Sequence, residues 1–263
     1  TYPGDSNVLV AMLENGTTGF ITSIIKSIDR GQTWTELTIP NDESGNPLGD
    51  YQGSMSYWGS LGIDPNNPDI IYAGAFTLFK SVDSGATWTE ISDWVQNQSL
   101  PYVHADQHNI IFINSNKILF TNDGGVFLTT DGGSTFSHRN TGLNTTQFYS
   151  TAIHPTSEYI LGGTQDNGTW KLPNPGIQVG TEVTGGDGAY VHIDQTDPSY
   201  QFSSYVYNRV YRSTNGGNSF GLWYDLDDNG ANAGFFINPS VIDDTNKAFY
   251  ATWSTTQILR QKN

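Results

Sequence analysis

From Gly59 onward, short apolar runs alternate with clusters of turn-forming residues. Gly59-Ser-Leu-Gly-Ile-Asp-Pro-Asn-Asn-Pro leads to Asp69-Ile-Ile-Tyr-Ala-Gly, then Thr77-Leu-Phe-Lys-Ser, then a polar turn, then Thr87-Trp-Thr-Glu-Ile. Short runs rich in β-branched and aromatic residues, each bounded by Gly, Pro, Asn or Asp, predict four short antiparallel strands. The plan repeats through Asn109-Ile-Ile-Phe-Ile-Asn, Ile118-Leu-Phe-Thr and Val126-Phe-Leu-Thr-Thr. Near the start it predicts strands over Asn7–Leu13, Gly19–Lys26 and onward from Thr33; near the end, over Gly234–Asn238, Lys247–Thr252 and Gln257–Arg260.

One string punctuates this pattern. Ser27-Ile-Asp29-Arg-Gly31-Gln-Thr33-Trp34 returns as Ser81-Val-Asp83-Ser-Gly85-Ala-Thr87-Trp88, as Thr129-Thr-Asp131-Gly-Gly133-Ser-Thr135-Phe136 and as Ser213-Thr-Asn215-Gly-Gly217-Asn-Ser219-Phe220. Asp29 and Asp83 are 54 residues apart, Asp83 and Asp131 48, Asp131 and Asn215 84. The last gap holds two repeats, and midway Asn174-Pro175-Gly176 keeps the Asp/Asn-x-Gly core. In this register Asn263 takes the Asp position of a sixth copy. Four-stranded antiparallel units repeating every 40 to 50 residues or so are the signature of a β-propeller. The expected fold is therefore all-β, a single propeller domain with blades at approximately 1–38, 54–93, 104–139, 146–182, 186–224 and 230–263.

The turn has a physical reason. Asp and Asn accept hydrogen bonds from backbone N–H groups a few residues on. The Gly two places later takes a positive φ, and Thr with Trp or Phe then opens the next strand. This makes Asp29, Asp83, Asp131, Asn174 and Asn215 structural residues. The first blade lacks its innermost strand and the sixth its last. Open edges invite pairing, so the expectation is part of a propeller of seven or eight blades, excised or processed from a longer chain. The alternative is a six-bladed ring whose end blades share strands.

These turns resemble the Asp-box, or BNR repeat, of sialidases, sortilin-type receptors, photosystem assembly factors and family 74 xyloglucanases. The stretch from His104-Ala-Asp-Gln-His108 through Asn122-Asp-Gly-Gly-Val-Phe127 to Gly162-Gly-Thr-Gln-Asp-Asn-Gly168 is similar to secreted bacterial glycosyl hydrolase-like propellers. The resemblance covers most of the chain. It implies a secreted or cell-surface bacterial protein that engages a glycan or an extracellular protein, beside adjoining domains of the same parent chain. The repeat serves enzymes, receptors and assembly factors alike, so it speaks for fold more than for function.

Composition narrows the partners. With 26 acidic and 11 basic residues the net charge is −15. Too few Lys and Arg remain to build the basic face that nucleic acid requires, and anionic lipid is disfavoured likewise. No apolar run reaches the length of a membrane span. There is no Cys, which excludes disulfides and thiolate metal sites. The aromatic share is high, at 13%.

In each predicted blade the loops from strand two to three, and from strand four onward, lie opposite the recurring turns. Ligand sites in propellers sit on that face. The first strands align on Ile63-Asp64, Ile113-Asn114, Ile153-His154, Ile193-Asp194 and Ile237-Asn238. This register puts Trp58, His108, Phe148, Gly188 and Asn232 at the channel mouth, with Tyr57, Asp106, Gln107, Gln147 and Asp187 beside them. The strand-two-to-three loops add Asn122, Asp123, Gln165, Asp166 and Asn167, and the loop before the second blade adds Asp42, Glu43, Asp50 and Tyr51.

Carboxylates, amides, His and aromatics together suit sugar hydroxyls and sugar faces. The ligand-binding candidates are Tyr57, Trp58, His104, His108, Gln165 and Asn167; a hydrated mouth without ligand is the plain alternative. Alternation along a strand would put His104, Asp106 and His108 on one side, as a transition-metal site or as a hydrogen-bonded stack. Asp42, Glu43, Asp50 and the run Asp225-Leu-Asp227-Asp228-Asn229-Gly230 offer oxygens to calcium. A glycosidase needs two carboxylates across a cleft, and Asp106, Asp123, Asp166 and Asp187 are the catalytic candidates. Sialidases hold their substrate with three arginines. Here Arg30, Arg139, Arg209, Arg212 and Arg260 lie in or beside repeat strands and turns, which disfavours that chemistry. Two readings stay open: a glycan- or protein-binding scaffold module, or a glycoside hydrolase of xyloglucanase or endoglucanase type, alone or as one propeller of two.

Overall fold

The computed structural model describes residues 1–41, 45, 47–48, 59–96, 98–143, 145–173, 179–225, 234–254 and 256–262. Its strands form six antiparallel sheets, each a meander in chain order. The first holds β1 (Leu9–Glu14), β2 (Ile21–Ser27) and β3 (Thr35–Leu37). The second holds β4 (Ser60–Ile63), β5 (Ile71–Gly74), β6 (Leu78–Ser81) and β7 (Thr89–Glu90). The third holds β8 (Gln107–Phe112), β9 (Ile118–Asn122), β10 (Gly125–Thr129) and β11 (Ser137–His138). The fourth holds β12 (Phe148–Ile153), β13 (Ile160–Thr164), β14 (Thr169–Leu172) and β15 (Thr181–Thr184). The fifth holds β16 (Val191–Ile193), β17 (Gln201–Ser204), β18 (Arg209–Ser213) and β19 (Gly221–Asp225). The sixth holds β20 (Ser240–Asp243), β21 (Ala248–Ser254) and β22 (Gln257–Lys262). The chain is all-β, built from the four-stranded antiparallel sheets that make propeller blades. Among the described residues, no helix is long and apolar enough to cross a membrane.

The chain divides into two compact units, Thr1–Leu143 and Asn144–Asn263. The reason is the repeat: each sheet packs chiefly on its sequence neighbours. In the first unit Ile24, Ala73 and Phe79 fill the space between sheets one and two, and Tyr72, Leu78, Ile110, Ile118, Phe120 and Phe127 that between two and three. In the second, Tyr159, Leu161, Val191 and Ile193 join sheets four and five, and Phe202, Val210, Phe249 and Leu259 join five and six. Each fully buried side chain of this size contributes about 1.5–3 kcal/mol.

The recurring turns have one geometry. The Ser27 hydroxyl donates to Asp29 Oδ1 (2.8 Å) and accepts the Gly31 N–H (2.8 Å). The Thr33 N–H reaches Asp29 Oδ1 (2.8 Å) and its hydroxyl Oδ2 (2.6 Å). The side-chain acceptor thus spans four residues, further than the two or three expected. Gly31, Gly85, Gly133 and Gly217 all have positive φ, between 74° and 96°. The hydrogen bonds hold the carboxyls of Asp29, Asp83 and Asp131 down to about 2; for Asp29 and Asp83 the Thr four residues on gives the largest push, its hydroxyl ahead of its N–H. Conserving the turn across repeats also staples neighbouring sheets: Lys80 Nζ and the Tyr72 hydroxyl donate to the Gly132 carbonyl, and Lys171 Nζ to that of Gly216. The worn copy at Asn174 and the terminal Asn263 lie outside the described residues.

One strand assignment changes. The last sheet begins at Ser240, whereas the pattern predicted Gly234–Asn238. Two similar dipeptides, Ile237-Asn238 and Ile242-Asp243, compete for the register. Asn238 instead closes a local loop, accepting the Phe235 N–H (2.8 Å) and donating to the Phe235 carbonyl (2.6 Å). Asp243 occupies the repeat position of Asp64, Asn114, His154 and Asp194: in all five the side chain accepts the N–H two residues on. Asn232 therefore drops out of the channel-mouth register, and it lies outside the described residues.

Candidate functional site

In the first unit the predicted residues gather at one end of sheet three. Asp106 precedes β8 in a left-handed conformation (φ 63°). Asp123 sits in the β9–β10 loop, and one of its oxygens lies within 4.8 Å of an Asp106 oxygen. His108, the second residue of β8, places Nε2 2.5 Å from Asp123 Oδ1. The imidazole is 34% exposed and the carboxylate 20%, so the pair is reachable from solvent yet partly desolvated.

The backbone beneath is fixed. Gln107 is fully buried. Its N–H donates to the Ala75 carbonyl (2.9 Å) and its side-chain amide to the His104 carbonyl, while Asn122 Nδ2 donates to its Oε1 (3.3 Å). Asn140 clamps the acidic loop from outside, accepting the Val126 N–H (2.8 Å) and donating to the Gly124 carbonyl (2.7 Å). Gly124 admits the His104 ring, which would sit 2.4 Å from a Cβ there. The sequence register put Gln107 beside the channel mouth, whereas it is buried, and Asn140 escaped the reading, since a buried amide that holds a loop has no signature in one sequence.

The strand face imagined for His104, Asp106 and His108 is corrected. β8 begins only at Gln107, and the left-handed turn at Asp106 breaks the alternation on which that face depended. His104 Nδ1 lies 3.2 Å from the Ala105 carbonyl oxygen, while His108 turns to Asp123. Asn122 also changes standing: it is buried at the end of β9, with its side chain committed to Gln107 and Gly124. Tyr57, Trp58, Asp42, Glu43, Asp50, Tyr51 and the calcium run Asp227–Gly230 lie outside the described residues.

The second unit has its own cluster. Asp166 is left-handed (φ 58°) in the β13–β14 loop, and its N–H donates to Asp187 Oδ1 (3.2 Å). The Gln165 N–H meets the Gln147 carbonyl (3.0 Å), and Asn167 Nδ2 the Gln165 carbonyl (3.1 Å). Two backbones touch here: a Cβ at Gly163 would lie 2.0 Å from the Ala189 carbonyl oxygen, and one at Gly188 2.2 Å from that of Gly168. Only Gly permits this approach. The Tyr205 ring rests on Gly186. Burial, and then the charge of Asp187, push its hydroxyl pKa up. Arg209 lies 5.7 Å from the ring centroid and pairs with Asp225 (2.8 Å). Tyr205 was not singled out by sequence, and Arg209 was read only as one of five arginines in or beside repeat strands and turns.

No family model matches the chain. A xyloglucanase from Paenibacillus sp is 37% identical over 75 residues, covering 27% of this chain and 7% of the relative. Xyloglucanase Xgh74A of Acetivibrio thermocellus is 32% identical over 100 residues, 36% of this chain and 11% of the relative. Each match thus spans roughly a tenth of the relative's length. Among solved structures, a GH74 xyloglucanase from Xanthomonas campestris covers the whole chain at 15% identity and a TM-score of 0.42, aligning with 44% of its own length.

Proposed function

We propose that this chain is a glycoside-hydrolase-like propeller segment that acts on a neutral β-glucan of the xyloglucan type. The observation that carries the reading is the Asp106–Asp123 pair, whose oxygens approach within 4.8 Å while His108 holds one of them. Two carboxylates this close can both address one glycosidic linkage. Asp106 would donate a proton to the leaving oxygen. Asp123, oriented by His108, would face the positive charge that develops at the anomeric carbon, until a water adds to that carbon and returns its proton to Asp106. The sequence relatives are xyloglucanases, which supports the hydrolase reading over the scaffold reading. The recurring turns belong with the Asp-box, and the protein acts outside the cell, where such a polymer is found.

The test is release of reducing ends from xyloglucan, cellulose oligomers and other β-glucans. The expected result is hydrolysis that Asp106→Asn or Asp123→Asn abolishes. A chain inert on the whole panel, or one equally active without either carboxylate, overturns the proposal.

A further inference from the structure

One exposed aromatic side chain of the first unit is not used by the reading above. Trp94 is 47% exposed on the connection between β7 and β8, and its neighbour Val95 is 39% exposed. The ring of Phe76, in the β5–β6 loop, lies 6.0 Å from the Trp94 ring, tilted by 50°. Among the described residues the indole N–H groups of Trp34 and Trp88 are tied to backbone carbonyls, and that of Trp94 is not.

The support under this pair is rigid. The Asp93 N–H bonds the Pro101 carbonyl (3.0 Å), the Asp93 carbonyl accepts the Val103 N–H (3.0 Å), and Asp93 Oδ1 accepts the Val95 N–H (2.8 Å). On the other side the Ala75 carbonyl, one residue before Phe76, accepts the N–H of Gln107, one residue after Asp106. Shelf and carboxylate are thus joined by a single backbone hydrogen bond.

The repeat makes the placement informative. Phe76 occupies a strand-two-to-three loop. The corresponding loops of the next two sheets carry Asp123 and Asp166, and that of the fifth carries Tyr207. Tyr207 in turn meets an exposed aromatic from the following connection, Phe236, edge to face at 5.7 Å. Tyr207 and Asn208 are both left-handed (φ 52° and 61°), a conformation that side chains resist and that the surroundings must hold in place. The same device, a loop aromatic bracing an exposed one, therefore occurs once in each unit.

We propose that Trp94, braced by Phe76, is a stacking platform that seats one pyranose ring of a neutral glucan next to Asp106; this rests on the hydrolase reading of the acid pair. An aromatic face takes the C–H face of a sugar, and a rim of carboxylates takes its hydroxyls. Asp93 adjoins Trp94 in the chain and Asp106 is one residue from the backbone hydrogen bond that reaches Ala75, in a chain of net charge −15, so an anionic ligand is repelled and an uncharged one is not.

The test is calorimetric titration of cellotetraose and a xyloglucan heptasaccharide into Asp106→Asn protein, which removes turnover, with and without Trp94→Ala. Stacking of this kind is worth about tenfold in affinity. The expected result is a loss of about tenfold for Trp94→Ala, recovery to within about threefold for Trp94→Phe, and a sugar-dependent shift in tryptophan emission that Trp94→Phe removes. Unchanged affinity without the indole overturns the shelf. So does a protein that ignores both oligosaccharides and binds an oligolysine peptide instead. The two proposals fail separately: full hydrolysis by Asp106→Asn would sink the acid pair, while the affinities judge Trp94 on their own.

Discussion

Asp123 and Asp131 stand at opposite ends of one five-residue strand, Gly125–Thr129. Asp131 takes hydrogen bonds from the hydroxyls of Thr129 and Thr135 and from the backbone N–H groups of Ser134 and Thr135, all within its own turn. Asp123 meets a titratable ring from another strand and a second carboxylate from a loop. The same residue type is thus a strut at one end and, on the function proposed above, a catalytic group at the other. What decides is whether its acceptors are filled by local donors. A carboxylate saturated by its own turn has nothing left for a ligand.

The contrast can be broken at either end. Asp123→Asn should lower hydrolysis about a thousandfold and leave the melting temperature nearly unchanged, read by reducing-end release and by a thermal melt. Asp131→Asn should change neither hydrolysis nor melting temperature appreciably, because Asn215 already serves in the fourth turn, with Ser219 N–H on its Oδ1 and its amide on the Ser219 hydroxyl. Next in size, His108→Gln should cost about tenfold in kcat, since the amide replaces only the hydrogen bond to Asp123. Asp131→Ala empties the turn of its acceptor and should lower Tm by a few degrees, typical of a lost cap in a chain this long, with kcat unchanged.

The smallest effect is in acid. The carboxyls of Asp29, Asp83 and Asp131 are depressed in the fold to about 2 from an ordinary 3.8. The unfolded chain therefore binds protons first. The stabilisation is complete above pH 4 and is lost as pH falls towards 2. His192 acts in a higher window: burial among apolar side chains drops its pKa to about 4, so protonation opposes folding as pH falls from about 6.5 to about 4. A denaturation series in acid should show both windows, with Asp131→Asn flattening only the lower one and His192→Gln only the upper.

The turns and strands were legible because a repeat states each feature several times. Ser27, Ser81, Thr129 and Ser213 perform one task, and any one copy explains the rest. The site was less legible because its residues come from single loops. Asp106, Asp123 and His108 were all picked out, but their relation was misjudged: a left-handed residue at Asp106 leaves no mark in sequence, and without it the stretch reads as strand. The same limit hid Trp94 and Phe76, which lie far apart in sequence and meet only through loop packing. Where two dipeptides could each end a strand, as at Ile237 and Ile242, the Asn238 side chain closes a loop on Phe235, a contact that leaves no mark in the sequence.

The most direct test of the account compares xyloglucan hydrolysis by the parent chain, Asp106→Asn and Asp131→Asn under one set of conditions. The account predicts an active parent, an Asp131→Asn protein within about twofold of it and an Asp106→Asn protein slower by about three orders of magnitude. Equal rates for all three, or an inert parent, would contradict it.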